Sequence, residues 1–307
     1  MSTVLVIGEA IADFLPLDDE PRAFQCVLGG SGFNTSLALV RLGLRPDYVW
    51  SLSDDVLGQR FGKVMAAEGI GMARLRISQR PSAVAVVRPL AASHGAMFAL
   101  HLAGTAHEDV PVLPSVVPDG VSHVHAASFA VTTGAASVPS LALMRAAKAQ
   151  ATSSYDPNIR ASCLPPHAEA MVLIEERVAA ATMAKASVED FAWMYPQLAP
   201  HEGLQRWLAL GCSIAVMTRG AEGAVAMTMA DTVEVPAPPT TVADTVGAGD
   251  TFTAGFLAAM VRGARLGVPD HVASAGELAV WLGFAVRAAS MTCERPGCDP
   301  PRLAELV

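Results

Sequence analysis

The sequence predicts an α/β fold in which helices cover a mostly parallel sheet. Three observations predict it. Short apolar, β-branched runs alternate with longer helix-like segments along most of the 307 residues, which is the pattern of successive strand-helix units. No charged or low-complexity linker divides these units, so one domain over residues 1–307 is expected. Residues 83–87 and 96–100 flank a glycine-bearing turn at 92–95, which predicts a hairpin in a small additional sheet.

The first third of the chain contains two strand-helix units. Residues 4–7 form a short apolar run that predicts a buried strand. A helix is expected at 34–42, where apolar residues recur at helical spacing. A second strand is expected at 48–52 and a second helix at 59–68, and a glycine follows each of the two helices.

The same alternation resumes after the hairpin. Strands are expected at 121–127, 153–156, 184–187 and 214–218, with 223–228 and 232–235 able to pair with each other. Helices are expected between and after these strands, at 137–150, 166–181, 202–210, 248–262 and 273–291.

Composition and charge exclude several classes of function. The hydrophobic content of 52% is enough for a sizeable core, and the formal charge of −8 argues against a nucleic-acid or anionic-membrane partner. No uncharged apolar run is long enough to span a membrane, and the N-terminus lacks the basic region of a secretory signal. The five cysteines form no C-x-x-C pair, which is typical of reduced thiols in a cytoplasmic protein.

The segment Gly247-Ala-Gly-Asp250 begins a predicted apolar helix and is the most informative motif. Glycines allow the backbone to approach a ligand closely, and the start of a helix directs N–H groups and positive potential at an anion. A carboxylate beside a phosphate would repel it, so we expect Asp250 to face a second substrate and to accept a proton from its hydroxyl. The alternative is that Asp250 only stabilises the helix dipole. No Walker A motif occurs in the chain.

A second glycine-rich segment, Gly29-Gly-Ser-Gly-Phe-Asn34, allows three interpretations. It matches a dinucleotide-binding fingerprint in part, but Thr35 stands where the third glycine belongs, so a nicotinamide or flavin site is a minor alternative. Gly29, Gly30 and Asn34 could instead line a polyol-binding surface, because Asn both donates and accepts hydrogen bonds. The segment could also be a simple turn that caps the next helix.

Polar residues follow two of the predicted strands, at the edge where open α/β sheets bind ligands. Asn158 and Arg160 lie after the strand at 153–156, although an ordinary Asp-Pro-Asn turn explains them equally well. Lys185 ends the next strand, and Ser187 with Asp190 has the spacing of a capping box. These side chains are therefore candidates either for a site near phosphates and a metal or for local structure.

Three further groups were weighed against structural roles. Asp13 follows the first strand and a turn, where a solvated loop acid is the default. His123 and His125 fall on one face of a strand with no third ligand in the pattern, so we expect them to be structural. The same expectation applies to Cys293 and Cys298.

Taken together, these segments resemble the ribokinase-like (PfkB) carbohydrate kinases over nearly the whole chain. The strongest match is Asp244-Thr-Val-Gly-Ala-Gly-Asp-Thr-Phe-Thr-Ala-Gly255. The second is the segment from Gly29 to Gly43, which is followed by Ser53-Asp-Asp-Val-Leu-Gly58. The order and separation of these motifs also fit the family.

The resemblance implies a three-layer α/β/α Rossmann-like domain with a small β-sheet lid, formed by residues near 11–28 and 82–105. Such lids close over a sugar and often form a dimer contact, so a homodimer through the lid is expected. The resemblance also implies ATP, Mg²⁺ and, in many members, a monovalent cation such as K⁺ beside the anion loop.

The resemblance assigns roles to individual residues of this chain. Asp250 matches the catalytic base, and Gly247, Ala248 and Gly249 match the anion hole. The substrate-side residues it implies are Asp13, Gly29, Gly30, Asn34, Asn158 and Arg160. The nucleotide-side residues are Lys185, Ser187, Thr218, Arg219, Gly220 and Gly223, with Asp190 near Mg²⁺ through water and Asp244 and Val246 near the monovalent cation.

Several segments are similar to the fructokinase subgroup, among them 156–160, 185–190, 98–106 and 292–297. A fructokinase is therefore expected, with 2-keto-3-deoxygluconate kinase, ribokinase or a nucleoside kinase of the same fold as alternatives. A non-catalytic sugar-binding protein is the alternative from another class. Two positions depart from the family: Asp190 stands where a glutamate is common, and Cys298 stands where a small alanine is usual.

Overall fold

The computed structural model describes residues 3–17, 22–89 and 96–307. Its main element is an eight-stranded sheet in the order β14-β13-β12-β11-β10-β9-β1-β4. The strands of this sheet are β1 (Thr3–Ile7), β4 (Arg45–Val49), β9 (Val121–Ala127), β10 (Thr152–Asp156), β11 (Met183–Ser187), β12 (Ile214–Thr218), β13 (Ala224–Met227) and β14 (Thr232–Val235).

The sheet is parallel from β4 through β12, and only β13 and β14 pair antiparallel at one edge. This confirms the predicted mostly parallel sheet and the predicted pairing of 223–228 with 232–235. Because strand-helix crossovers place every parallel strand in the same direction, the carboxyl ends of β1, β9, β10, β11 and β12 meet at one edge. Most of the candidate site residues follow these strand ends.

Helices cover both faces of the sheet, which gives three layers. Alternate side chains of β1 belong to different cores: Val4 and Val6 pack on one face, and Leu5 and Ile7 pack on the other. The helices are α1 (Ser31–Arg41), α2 (Val56–Glu68), α3 (Ser128–Thr132), α4 (Ser137–Ala147), α5 (His167–Ala180), α6 (Val188–Met194), α7 (Pro200–Leu210), α8 (Ala248–Arg262), α9 (Ala275–Cys293) and α10 (Leu303–Leu306).

No helix among the described residues is long and apolar enough to cross a membrane.

The face that contains Val4 and Val6 is covered chiefly by α8 and α9, whose buried side chains include Phe256 and Trp281. The N-terminal ends of α1 and α8 pack side by side, and this brings two distant segments of the chain to the same place.

A separate four-stranded sheet in the order β3-β2-β7-β8 forms from the two segments expected to make the lid. Its strands are β2 (Ile11–Pro16), β3 (Phe24–Gly29), β7 (Val84–Pro89) and β8 (Ala96–His101). The antiparallel pairing of β7 with β8 confirms the hairpin, while the turn at 92–95 lies outside the described residues. A small two-stranded sheet pairs β5 (Ser51–Ser53) with β6 (Arg76–Ser78).

Several local predictions were wrong in part. Asp13 does not lie in a solvated loop but in β2, where pairing with β3 and β7 on either side buries it. The strand expected at 48–52 is divided at Trp50, because the residues after it pair with β6 rather than with β1. Helix α1 begins three residues earlier than predicted, at Ser31, because Gly30 adopts a φ of 95° that turns the chain directly into the helix.

The start of α1 packs so closely on the end of β1 that a side chain at Gly32 would collide with the backbone of Gly8. We expect Gly32→Ala to destabilise the protein by about 1–3 kcal/mol, the usual cost of overpacking. Gly62→Ala is the matched control, because Gly62 lies within α2 and a Cβ there meets nothing within 4 Å. The control should gain about 0.5–1 kcal/mol. Urea unfolding of both variants tests this, and equal stabilities would contradict the close packing.

Candidate active site at the carboxyl edge of the sheet

The carboxylate of Asp250 lies at the centre of the site. Asp250 occupies the first turn of α8, is buried, and accepts hydrogen bonds from two residues of α1. The Ser31 hydroxyl donates to its Oδ1 at 2.5 Å, and the Asn34 amide donates to its Oδ2 at 2.9 Å. The structure therefore joins the two glycine-rich segments of the sequence at a single carboxyl group.

Burial raises the pKa of Asp250 from 3.8 to about 6, although the bonds from Ser31 and Asn34 act in the opposite direction. Asp156 adds to the upward shift and Lys185 reduces it. A carboxyl group with a pKa just below neutrality is mainly ionised at pH 7 and can still accept a proton readily. This pKa is compatible with the predicted role of Asp250 as a proton acceptor.

The predicted anion loop, which consists of Gly247, Ala248 and Gly249, lies at the start of α8. Gly247 has a φ of 75°, and a side chain there would collide with Cys298, so both the backbone conformation and the space require glycine. No side chain caps this end of the helix, and of its first N–H groups that of Ala248 donates to the Thr245 carbonyl oxygen at 3.2 Å. An anion placed there would meet these groups and the positive end of the helix dipole.

Lys185 supplies a buried positive charge beside this loop. Its ammonium group contacts Asp156 Oδ2 at 2.7 Å and donates to the Gly249 carbonyl oxygen at 3.3 Å. Burial opposes the charge on Lys185, but Asp156 outweighs it, and the pKa of Lys185 lies above its ordinary value. Lys185 is therefore a fixed cation within reach of the start of α8.

Ser187 and Asp190 form the capping box that the sequence spacing allows. The Ser187 hydroxyl and the Asp190 carboxylate bond to each other's backbone N–H, and Asp190 Oδ1 also accepts from the Ile159 N–H at 3.0 Å. Burial, with Asp156 nearby, raises the pKa of Asp190. Asp190 thus joins the end of β11 to the loop after β10 and stabilises the local structure.

The loop after β10 holds Asn158 and Arg160 at the same edge. Asn158 adopts a φ of 38°, and its N–H donates to Asp156 Oδ1 at 3.1 Å in a tight Asx turn. The guanidinium of Arg160 is close enough to Asp13 to lower its pKa, but burial is the larger effect and raises the pKa of Asp13 to about 7. The loop and the lid sheet therefore face each other here.

Gly29 and Gly30 provide the close approach between the lid and the start of α1. A side chain at Gly29 would overlap the Asp13 carboxylate, and one at Gly30 would overlap the backbone of Glu9 and Ile11. Their small size allows Asp13 to lie against the backbone of β3. The expectation that these glycines line the same surface as Asp13 and Asn34 is compatible with this arrangement.

The nucleotide-side candidates lie at the end of β12. Thr218 is its last residue, and a short 3-10 turn that contains Gly220 leads to Gly223, which packs against the backbone after β14. The Arg219 guanidinium pairs with Glu234 at 3.0 Å and therefore reaches towards β14. The β12 end adjoins the β11 end, where Lys185 lies.

Asp244 connects the segment before α8 to the segment after α9. Its Oδ1 accepts from the Val246 N–H at 3.0 Å, and its Oδ2 accepts from the Gly297 N–H at 2.8 Å. Among the described residues no cluster of three or more histidine, cysteine or acidic side chains could hold a metal ion alone. A cation near Asp244 and Val246 would therefore depend on backbone carbonyl groups as well.

His123 and His125 are buried in the sheet. His123 contacts Thr152 and Ser154 hydroxyls at 2.7 Å, and His125 contacts the same Ser154 hydroxyl at 2.7 Å. Burial lowers the pKa of His125 to about 3, so the ring is neutral. These bonds satisfy both ring nitrogens of His123, whereas His125 Nε2 is buried and makes no hydrogen bond among the described residues.

Two residues of the site were missed by the sequence analysis. Glu9 follows β1, is 2% exposed, and accepts the Ser31 N–H at 3.0 Å. Burial raises the pKa of Glu9 to about 7. Ser31 precedes Asn34 by three residues, and this helical spacing was the signal that could have placed both side chains on one face.

Comparison with known proteins decides the family. Residues 1–304 match the profile described as pfkB family carbohydrate kinase. The chain belongs to the pfkB family of carbohydrate kinases. It is therefore a phosphotransferase that acts on a sugar.

Individual members of the pfkB family agree with this assignment. A fructokinase of Rhizobium leguminosarum bv. trifolii is 33% identical over 262 residues, which cover 84% of this chain and 79% of that protein. Aminoimidazole riboside kinase from Salmonella enterica, solved with aminoimidazole riboside and an ATP analogue, matches with a TM-score of 0.83 at 23% identity, covering 99% of this chain and 98% of that one.

A fructokinase double mutant from Vibrio cholerae O395, solved with fructose, ADP and a potassium ion, also has a TM-score of 0.83. It is 21% identical and covers 100% of this chain and 97% of that one. At these identities the similarity to solved structures shows the fold alone, and it confirms the predicted ribokinase-like α/β architecture.

Proposed function

We propose that this pfkB kinase is a fructokinase, which transfers the γ-phosphate of ATP to a primary hydroxyl of fructose with Asp250 as catalytic base. The observation that carries the proposal is the position of Asp250 between the two glycine-rich segments. Its carboxylate contacts the sugar-side residue Asn34, and its backbone belongs to the anion loop at the start of α8. A residue in this position can contact an acceptor hydroxyl on one side and a phosphate on the other.

The reaction follows from this placement. The acceptor oxygen attacks the γ-phosphorus, the bond from that phosphorus to the ADP oxygen breaks, and the hydroxyl proton passes to Asp250. The N–H groups of Gly247, Ala248 and Gly249 stabilise negative charge on the phosphoryl group in transit. Closure of the lid sheet excludes water, which would otherwise compete as the acceptor.

Fixed charges on the nucleotide side favour ATP. Lys185 is a buried cation that donates to the Gly249 carbonyl oxygen at 3.3 Å. Ser187, Thr218, Arg219, Gly220 and Gly223 lie at the ends of β11 and β12, where they would contact the rest of the nucleotide.

Oxygen atoms that could bind metal ions also lie near the site. Mg²⁺ commonly uses one or two carboxylates together with substrate phosphates, so a single acid such as Asp190 is compatible with it. Bound Mg²⁺ supplies positive charge that neutralises the phosphate oxygens. Asp244 and Val246 offer oxygen ligands for K⁺, and the Vibrio cholerae fructokinase was solved with potassium.

The sugar side is rich in groups that bind hydroxyls. Asn34 Oδ1 is buried and makes no hydrogen bond among the described residues, so it can accept one from a sugar hydroxyl. Asp13 can donate or accept near pH 7, because its pKa is raised to about 7. Gly29, Gly30, Asn158 and Arg160 complete this surface.

We further infer a homodimer formed through the lid and a cytoplasmic location. The lid segments expose Leu17, Phe24 and Val86, which are the kind of apolar side chains that a dimer would cover. The five cysteines are all free, as expected in a reducing compartment. The molecular mass in solution, measured by light scattering, tests the dimer, and a monomeric mass would contradict it.

A riboside or nucleoside is the second candidate acceptor, because the Salmonella enterica aminoimidazole riboside kinase shares the fold with a TM-score of 0.83. Ribokinase and 2-keto-3-deoxygluconate kinase activities belong to the same comparison, and a sugar-binding protein without turnover is the non-enzymatic alternative. The fructokinase of Rhizobium leguminosarum bv. trifolii, at 33% identity, favours fructose over these.

An acceptor panel tests the assignment. ADP formation would be followed with fructose, tagatose, ribose, 2-keto-3-deoxygluconate, aminoimidazole riboside and adenosine in parallel. We expect the highest kcat/KM with fructose. A higher kcat/KM with any other acceptor would replace fructose by that acceptor, and sugar binding without ADP formation would favour the non-catalytic alternative.

A further inference from the structure

Ser31 makes the shortest contact to the Asp250 carboxylate from α1. Its hydroxyl has one proton to donate, and that proton is directed at Asp250 Oδ1 over 2.5 Å. Asn34 lies one turn later on the same face of α1 and holds Oδ2 at 2.9 Å. Each oxygen of Asp250 is thus held by a different side chain, and the carboxylate plane is set by α1 rather than by α8.

The backbone keeps Ser31 in this position. Its N–H donates to Glu9 Oε1 at 3.0 Å, and the N–H of Asn34 donates to the Gly30 carbonyl oxygen at 2.9 Å within the first turn of α1. Ser31 is only 3% exposed, so little water is available to replace its hydroxyl. The serine is therefore a fixed donor and not a mobile surface side chain.

We propose that Ser31 is a positioning residue for phosphoryl transfer, whose hydroxyl holds Asp250 Oδ1 so that the carboxylate stays ionised and correctly turned towards the acceptor. The proposal rests on the proposed role of Asp250 as base. Ser31 need not touch the sugar or the nucleotide, since it acts through Asp250. Its hydrogen bond stabilises the charged form of the base, which burial disfavours.

The surroundings of Asp250 make such a donor necessary. Most of the charged groups that face it are acidic, and their negative charge favours protonation of Asp250. Lys185 offsets part of this effect, but it is already paired with Asp156 at 2.7 Å. The titratable and charged groups around Asp250 and its neighbours are Glu9, Asp13, Asp156, Arg160, Lys185, Asp190, Asp244 and the Cys298 thiol.

The test compares Ser31→Ala with Ser36→Ala. Ser36 lies on the same helix and is equally buried, but its hydroxyl bonds to the Gly32 carbonyl oxygen and not to Asp250. The carboxyl carbon of Asp250 would be titrated by ¹³C NMR in each full-length variant, with Asp250→Asn used to assign its signal. The pH dependence of kcat/KM for fructose would be measured in parallel.

We expect Ser31→Ala to raise the pKa of Asp250 by about one unit, since one unit is a common consequence of losing a hydrogen bond to a charged group. The kcat/KM should then fall roughly fivefold near pH 6 and hardly at all near pH 8, because only the fraction of ionised base changes. Ser36→Ala should leave both the NMR titration and the pH profile unchanged. Ser31→Thr, which keeps a hydroxyl, should restore the NMR titration of the unaltered protein.

The outcomes separate the two proposals. An unchanged Asp250 titration in Ser31→Ala would overturn the role of Ser31, whatever the acceptor is. A shifted titration without any change in the pH profile of turnover would support the hydrogen bond but contradict Asp250 as base. Equal loss of kcat/KM at every pH would indicate a merely structural role and would also overturn the positioning role.

Discussion

Asp250→Asn is expected to lower kcat by roughly 10³-fold, within the range that general bases contribute, while the affinity for ATP stays close to that of the unaltered protein. Asparagine has nearly the same shape but cannot accept the proton of the acceptor hydroxyl at neutral pH. The anion loop of Gly247 to Gly249 is unchanged by the substitution, so nucleotide binding should persist. Steady-state kinetics and ATP titration calorimetry measure the two quantities.

The thermal stability of Asp250→Asn is the control for its loss of activity. Burial raises the pKa of Asp250 to about 6 in the folded protein, so the protonated carboxyl favours folding; this contribution is fully present below the unfolded pKa near 3.8 and is lost as pH rises through 6. Removing the charge should therefore leave the thermal midpoint at pH 7–8 equal or higher. Turnover close to that of the unaltered protein would rule out Asp250 as base, and a much lower midpoint would attribute the loss to misfolding.

The Lys185–Asp156 ion pair is the second position with a large expected effect. Both side chains are about 5% exposed, and the Nζ–Oδ2 distance is 2.7 Å. Lys185→Met leaves a buried carboxylate without its partner, and we expect a loss of about 3–5 kcal/mol in the free energy of unfolding. It should also weaken ATP-dependent turnover, because the cation beside Gly249 is lost.

A double-mutant cycle tests this pair. Asp156→Asn keeps an acceptor for the Asn158 N–H, and the double variant with Lys185→Met removes both charges together. The double variant should cost less than the sum of the two single losses, because no charge is left buried and unpaired. Urea unfolding at pH 8 measures the cycle. Strictly additive losses would show that the two groups do not stabilise each other.

The fold followed largely from local patterns in the sequence. The strands at 121–127 and 214–218 and the helix at 248–262 have the predicted bounds, because a glycine or a polar residue flanks each of them on both sides. β2 was not predicted from the local pattern and was expected only as part of the lid segment near 11–28 that the family resemblance implied. Only pairing with β3 and β7, from distant parts of the chain, makes that segment a strand.

Part of the candidate site could also be predicted from local patterns in the sequence. Asp250 and Asn34 stood out because glycine-rich helix starts carry their own signal. Glu9 carried no such signal, since an acid after a strand is an ordinary loop residue, and the helical spacing of Ser31 and Asn34 does not show which distant side chain the two would contact. Their importance arises only when α1 packs against α8, which brings residues 31 and 250 together.

The central claim is transfer of phosphate from ATP to a hydroxyl of fructose at Asp250, and ³¹P NMR of the reaction mixture tests it most directly. With protein, ATP, Mg²⁺ and fructose, we predict a new phosphomonoester signal that grows as the γ-phosphate signal disappears. Asp250→Asn should abolish the new signal on the same timescale. Loss of the γ-phosphate into inorganic phosphate alone, or a phosphomonoester signal that is undiminished in Asp250→Asn, would contradict the claim.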